Sequence, residues 1–271
     1  MRRTMWRKSA AVVWLVGLLA ATTGCTKAPL AATGPEFTVA TYNVNFGMPR
    51  ALDAVAAIRA TGADLVCLQE TSPDWELLIR SHLPNVYPHM MFKHVGAAGG
   101  QAILAKAPFE EIVYDRPAAG WFPGWVVRAR TALGDVQVLN VHLRPPLRED
   151  GGVSAGVYLK TRDTRRSEIE ALYSHLDPQQ PALVMGDFNE GDGGLAVSYL
   201  KDKQFGDALP QFAPWAHTWR WRVGLVTLTD RFDHILYSAH LECLHASVLN
   251  QGASDHLPVV ARFQKKTATS R

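Results

Sequence analysis

PALVMGDFN, residues 181–189, is apolar through Met185, and its polar side chains come only at its end. A short apolar run of this kind reads as a buried strand of an α/β sheet. Side chains two apart on a strand face the same way. Asp187 and Asn189 are therefore expected to point together, with Phe188 turned back into the core. A carboxylate and an amide so placed can orient a water and hold a charged oxygen. The alternative is an Asx turn closing the strand.

The same design recurs outward from this segment. FTVATYNVN (37–45) is a β-branched strand with Asn43 near its end, and DLVCLQE (64–70) is a buried strand ending in Glu70. Between them ALDAVAAIRA (51–60) has helical spacing and Gly62 marks its stop. Pro73 opens a helix to about Leu83. AILAK (102–106), EIVYD (111–115), WVVRART (125–131) and VQVLNVHL (136–143) are expected strands, the last two a hairpin around Leu133-Gly134-Asp135. His142 ends the last of them. A helix is expected over 158–176, with Ile169, Leu172 and Leu176 on one side. FDHILYS (232–238), CLHASVL (243–249) and PVVARF (258–263) close the domain; Asp233 begins the first, and Asp255-His256 precede the last. No internal repeat or linker interrupts the pattern, which reads as one α/β domain over 36–264 with many strands and few helices. One capping Asp at a strand end means little. Repeated carboxylates and amides at buried strand ends carry a desolvation cost, and ligands of α/β sheets gather outside strand ends.

The full chain has 271 residues, 47% hydrophobic and 20% charged, which excludes disorder, collagen and coiled coil. Three cysteines exclude a disulfide scaffold. Cys67 and Cys243 lie in apolar stretches and are expected as two buried thiols. The formal charge of +3 comes from the N-terminus. Without Arg2, Arg3, Arg7 and Lys8, 24 basic residues face 25 acidic ones, a net of −1. The body is not of the type that holds nucleic acid by overall charge.

The basic N-terminus is followed by an apolar run, Ala10–Ala21, too short to span a bilayer comfortably, and by small residues leading to Cys25. Residues 1–24 resemble a bacterial lipoprotein signal with Cys25 as the lipid anchor, although Thr22 stands where such signals carry a large aliphatic residue. The expected place is the cell envelope, anchored to a membrane; plain secretion is the alternative. Residues 25–35 read as a tether and 265–271 as a polar tail.

TYNVN (41–45), LQE (68–70), NVHL (140–143), GDFN (186–189), RFDHI (231–235) and SDH (254–256) occur in this order. Together they resemble the endonuclease/exonuclease/phosphatase superfamily, the DNase I-like metal-dependent phosphoesterases, over about 36–264. The resemblance implies an α/β fold, a two-sheet α/β sandwich with the site at one edge of the sheets. It implies Glu70 as principal Mg²⁺ ligand (Mn²⁺ serving in its place), Asn43 beside it and Asp255 near the metal. It implies a His256–Asp233 pair, Asp187 positioning the attacking water, Asn189 on the phosphate and His142 as a second phosphate-side group. NVHL resembles the branch of DNase I, neutral sphingomyelinases and inositol-phosphate phosphatases. GAAGGQAILAK (96–106) lacks the carboxylate that often orients the first histidine there; Gln101 is the candidate substitute.

Oxygen ligands suit a hard cation, and no Cys/His cluster suggests zinc. His256 and Asp187 both remain candidates for the base. The expected activity is hydrolysis of a phosphate ester, a nucleic acid or a phospholipid headgroup, with no protein partner evident. Two rivals stand beside it: a serine hydrolase on Gly152-Val153-Ser154-Ala155-Gly156, which lacks the strand such a turn needs, and a non-catalytic envelope protein on the same scaffold. Trp121 and Trp125 in one stretch, and Trp215, Trp219 and Trp221 in another, are read as packing between hairpins, with base stacking or a membrane interface as alternatives. His217 is expected to be a structural or turn histidine rather than a ligand, and Arg144 and Arg148 to be solvated loop charges, with a grip on a second phosphate as the alternative. Lys160, Arg162, Arg165 and Arg166 are read as an exposed helix face.

Overall fold

Two parallel strand pairs, each closed by a crossover helix, organise the chain. In the computed structural model, which describes residues 26–147 and 155–266, β1 (Phe37–Asn43) passes through α1 (Ala51–Ala60) to β2 (Leu65–Gln69), and β2 lies parallel beside β1. After α2 (Pro73–His82) come β3 (His89–Lys93), β4 (Gln101–Ala105), β5 (Phe109–Asp115), β6 (Gly124–Thr131) and β7 (Gly134–His142). The second crossover runs from β7 through α3 (Ala155–Tyr173) to the parallel β8 (Ala182–Asp187). The chain continues as α4 (Leu195–Asp202), β9 (Gly206–Asp207), α5 (Ala208–Phe212), β10 (Trp219–Val223), β11 (Val226–Asp230), β12 (Asp233–Tyr237), β13 (Leu241–Val248) and β14 (Val259–Lys265).

The strands form two six-stranded sheets, ordered β13-β14-β1-β2-β4-β3 and β5-β6-β7-β8-β12-β9, and a separate hairpin of β10 and β11. Alternation decides the layering. Val39, Leu65, Cys67 and Ile103 of the first sheet meet Trp125, Val138, Leu183, Met185 and Ile235 of the second in one core. The opposite faces are covered by helices. Ile58, Trp75 and Ile79 of α1 and α2 pack on Val66, Leu68 and Leu104. Ile169, Leu172, Val197 and Leu200 of α3 and α4 pack on Leu139 and Val184. This is the two-sheet α/β sandwich that the motifs implied, in a single domain.

Most expected elements hold within a few residues. α3 covers Ala155–Tyr173 rather than 158–176, although Leu176 still packs beneath it. The β6–β7 turn sits at Ala132-Leu133, since Thr131 pairs with Gly134. β3, α4, β9, α5, β10 and β11 were not foreseen. β3 is half-buried at every position and so shows no alternation, while the described side chains of β10 and β11 have no buried face. Arg165 corrects the expected exposed helix face: it is fully buried, its Nε donating to Glu190 Oε2 at 2.9 Å. Lys160 is exposed, and Arg162 and Arg166 are half-buried. Cys67 and Cys243 are free, buried thiols.

The residues read as a tether lie against the body. Lys27 N donates to Gln211 O, Leu30 N to Leu244 O, and Thr33 N to Gln264 Oε1. Residues 1–25, Arg148, Ser154 with the first part of its motif, and 267–271 lie outside the described residues. No helix among the described residues is long and apolar enough to cross a membrane.

Candidate active site

The stripe of side chains between the sheets changes from apolar to polar at one end of the sandwich. Thr41 and Asn43 follow Val39 on β1, and Gln69 follows Cys67 on β2. Asn140 and His142 follow Val138 on β7, Asp187 follows Met185 on β8, and Asp233 precedes Ile235 on β12. Parallel β1, β2, β7 and β8 end here and antiparallel β12 starts here, with Asp233 opposite Asp187 in register. Sequence alternation and topology together therefore bring these side chains to one edge.

A buried brace underlies the edge. Gln69 Nε2 donates to Asn140 Oδ1 at 2.7 Å across the sheets and to Thr41 Oγ1 at 3.0 Å, and Asn140 Nδ2 donates to Leu68 O at 3.2 Å. Above it Asn43 Nδ2 donates both to Glu70 Oε1 and to Asp187 Oδ2, at 3.0 Å each. Asn43 Oδ1 accepts from Asn45 N, so as placed the amide ties two carboxylates together. Alternation alone would send Glu70 toward the helix layer. Its backbone leaves the strand in the left-handed region (φ 61°), where a non-glycine residue stores strain, and the carboxylate lines the cleft. Phe46 N donates to Glu70 Oε2 at 3.1 Å.

Asp187 is the hub. Its Oδ2 lies 3.5 Å from His142 Nε2 and 3.6 Å from His256 Nε2. Its Oδ1 accepts from Asn189 N at 2.8 Å, so the Asx turn is present, and Asn189 takes φ 53° instead of continuing the strand. Asn189 Nδ2 donates to Leu143 O. Gly186, before the hub, has φ 144°, and a Cβ there would lie 2.0 Å from Val141 O, so only glycine fits. His256 Nδ1 faces Asp233 Oδ2 at 2.8 Å. Burial opposes charge on this ring, but the carboxylates of Asp233, Asp187 and Asp255 outweigh it and push the imidazole up to about 10. Burial also raises Asp233, so the pair competes for a proton that three surrounding carboxylates place on the ring.

His142 is oriented by a backbone carbonyl. Its Nδ1 lies 3.1 Å from Ala98 O, and Phe122 stacks on it at 4.4 Å between centroids. Gln101 does not take this part; its Nε2 donates to Pro123 O. Asp255 Oδ1 accepts from Asn45 Nδ2 at 3.0 Å, and Ser254 Oγ donates to Asn43 O at 2.8 Å. Asn45 and Ser254 were not singled out beforehand, although both lie within quoted motifs. Nor was Thr218, whose Oγ1 accepts from Asp233 N at 3.0 Å and carries no local signature.

A cleft of about 700 Å³ opens over these groups, with Glu70, His142, Asp187, Asn189, Asp255 and His256 in its lining and Asn43 beneath them. The walls are apolar. Trp121, Phe122, Pro145 and Leu147 stand on one side and Trp219, Trp221, Leu228 and Phe232 on the other. Only Trp125 of the expected packing tryptophans is fully buried in the core. Arg144 is no free loop charge, since its guanidinium lies over Trp121 at 3.2 Å. Beneath it Glu168 Oε2 accepts from Arg144 N at 2.9 Å. Burial pushes Glu168 up to about 7, partly offset by the Arg144 and Trp121 amides. His217 is exposed in the loop before β10.

The oxygen-rich floor suits a hard divalent cation. Asp187, Asp233 and His256 stand close enough to share an ion, and Glu70 and Asp255 also present carboxylates to the cleft.

No curated protein matches this chain in sequence. Solved structures share its fold. An endonuclease/exonuclease/phosphatase from Beutenbergia cavernae superposes with a TM-score of 0.69 at 20% identity, over 85% of this chain and 72% of that one. A truncated TDP2 from Caenorhabditis elegans gives 0.64 at 19% identity, over 84% and 98%. An AP endonuclease from Archaeoglobus fulgidus gives 0.61 at 20% identity, over 83% and 98%. The family model described as Endonuclease/Exonuclease/phosphatase family matches residues 40–256. Its span runs from within β1 to His256 and takes in every side chain of the cleft floor, so the chain belongs to that family and is a phosphoric ester hydrolase.

Proposed function

We propose that this protein is a Mg²⁺-dependent phosphodiesterase of the cell envelope that attacks phosphorus with water directly, without a covalent enzyme intermediate. The observation that carries the reading is the convergence on Asp187 Oδ2 of the Asn43 amide and of both histidine Nε2 atoms, in a cleft that also exposes Glu70. Glu70 and Asp255 offer oxygen to the cation, and Asn43 holds Glu70 in place. Mn²⁺ would suit the same donors. When bound, the ion neutralises phosphate charge and lowers the pKa of a bound water.

The chain's own residues do the rest. Asp187 and His256 stand on either side of one proton path, and Asp233, sealed from solvent, fixes the imidazole. His142 and Asn189 border the position of a phosphoryl oxygen and stabilise its developing charge. The N-terminal signal and Cys25 support export and lipid anchoring. A nucleic acid strand is the first reading of substrate, favoured by the family. The apolar cleft walls favour a second, a phospholipid headgroup ester. The test is hydrolysis of bis-p-nitrophenyl phosphate with and without Mg²⁺, then plasmid DNA, RNA, sphingomyelin and phosphoinositides. His256→Ala should cost roughly a thousandfold in kcat; undiminished activity would refute the mechanism.

A further inference from the structure

Among the described residues, five of the nine exposed large apolar side chains lie in one segment, the others being scattered at Phe46, Leu52, Leu77 and Leu159. Trp215 is 69% exposed, Trp221 44%, Leu225 99%, Val226 51% and Leu228 47%. The last four belong to the β10–β11 hairpin, whose strands pair with each other and whose base bridges the body where Trp219 meets His256. Its base is fastened to the body: Arg220 N donates to Asp255 O, Leu257 N donates to Thr218 O, and Trp219 packs on Phe232 at 4.8 Å. Its free end carries Gly224, Leu225 and Val226. A soluble surface spends few large apolar residues at the tip of a ribbon without a use for them.

The other observation is where the chain enters the body. Lys27 N is bonded to Gln211 O, and Lys27 Nζ lies over the Phe212 ring at 5.6 Å. Both partners belong to α5, and Trp215 follows three residues after Phe212. On the reading of Cys25 as a lipid anchor, one residue separates it from that contact, a reach of under roughly 10 Å. The chain has no slack to hold the body away from the bilayer.

We infer that Trp215 and the β10–β11 hairpin dock on a lipid bilayer beside the N-terminal anchor. Tryptophan suits the headgroup boundary, Leu225 and Val226 the acyl edge, and the Arg220 and Arg222 guanidiniums the phosphates between them. The hairpin also supplies Trp221 and Leu228 to the cleft, so the phosphate site opens next to the membrane surface. This rests on the anchored reading above and is independent of which ester is cut.

The test labels the full lipidated chain carrying Leu225→Cys with a polarity-sensitive fluorophore; Cys67 and Cys243 are buried, and Cys25 on the anchored reading carries the lipid, so none of them competes. Gln179→Cys, exposed in the loop before β8 at the opposite end of that strand from the cleft, is the reference. On reconstitution into phosphatidylcholine–phosphatidylglycerol vesicles, emission from the 225 label should shift to the blue and be quenched by brominated lipid, while the 179 label stays as in water. Protein that floats with vesicles while the 225 label remains in water would overturn the docking and leave the anchor standing. A shift produced by a single-stranded oligonucleotide and not by vesicles would assign the hairpin to nucleic acid, and one produced by protein concentration alone to a second copy; either overturns the inference. Loss of aryl diester hydrolysis in the unmodified protein would fault the phosphodiesterase reading alone, and Leu225→Glu/Val226→Glu should leave that hydrolysis unchanged.

Discussion

The floor of the cleft and its rim are built from opposite materials. The floor stands on the inward ends of strands and on the segment before β14, where Asn43, Asp187, Asp233 and His256 are buried and tied by hydrogen bonds to one another or to the backbone. The rim consists of loops and a hairpin held at its base, and most of its residues are aromatic or aliphatic and partly open to water. A site whose charged groups are held before substrate arrives has little reorganisation left to do during reaction. A rim with few directional contacts selects by shape and surface instead. The floor thus accounts for bond cleavage and the rim for the choice of ester.

The sharpest way to break this division is Asp187→Asn. It keeps the size and removes the charge that receives both histidines, so kcat for an aryl diester should fall roughly a thousandfold, about 4 kcal/mol of barrier, with KM little altered. A loss confined to KM would place Asp187 in binding and dissolve the distinction.

The frame behind the floor should fail differently. Arg165 and Glu190 are fully buried, and Glu190 Oε1 also accepts from the Ala196 and Val197 amides at the start of α4. Arg165→Met leaves that carboxylate without its cation and should cost about 3–5 kcal/mol of stability, read by urea denaturation. Residual activity per folded molecule should stay near normal. A proportionate fall in kcat of the folded fraction would show that the frame and the floor are one unit.

Stability against pH separates the regions further. His234 Nδ1 faces Asp207 Oδ2 at 3.1 Å and its Nε2 faces Glu190 O at 3.0 Å. Burial lowers this ring, but Asp207 outweighs it with help from Asp192 and the carbonyl, pushing His234 up to about 9. A base raised on folding stabilises fully below its unfolded pKa near 6.5, and that stability, on the order of 3 kcal/mol, is lost as pH rises toward 9. Glu168, raised to about 7, favours the folded state most below pH 4.5 and loses that advantage between there and 7. Thermal melts should therefore fall in two steps, with Glu168→Gln removing the first and His234→Gln shrinking the second, to which the raised His256 also contributes. A single step insensitive to both changes would contradict the assignment.

The sequence was far more informative about the floor than about the rim. Asn43, His142, Asp187 and Asp233 close or open apolar runs that read as buried strands, so their gathering at one edge followed from the place where ligands of α/β sheets meet. Glu70 is off the inward parity of its strand, and only its positive φ turns it inward, which no pattern in LQE encodes. Arg165 looked like its charged neighbours on the helix, because a buried partner 25 residues away leaves no local mark. The hairpin went unassigned for the converse reason: with no buried face, alternation had nothing to mark. Ala98 was unreadable because it orients His142 through a backbone carbonyl, which every residue has.

The smallest effect, and the one that tests the rim directly, belongs to Trp121. Its ring lies under the Arg144 guanidinium and next to Phe122, which in turn stacks on His142. Trp121→Ala removes a wall of the cleft and frees Arg144, yet touches no group that faces Asp187. A stacking contact of this sort is worth about 1 kcal/mol, so KM should rise roughly fivefold for a diester with a bulky apolar or aromatic substituent. For dimethyl phosphate, which cannot reach the wall, KM should not change, and kcat should stay within about twofold for both. Equal losses for the two esters would mean that the aromatic wall acts through His142, and the rim would then belong to the catalytic floor.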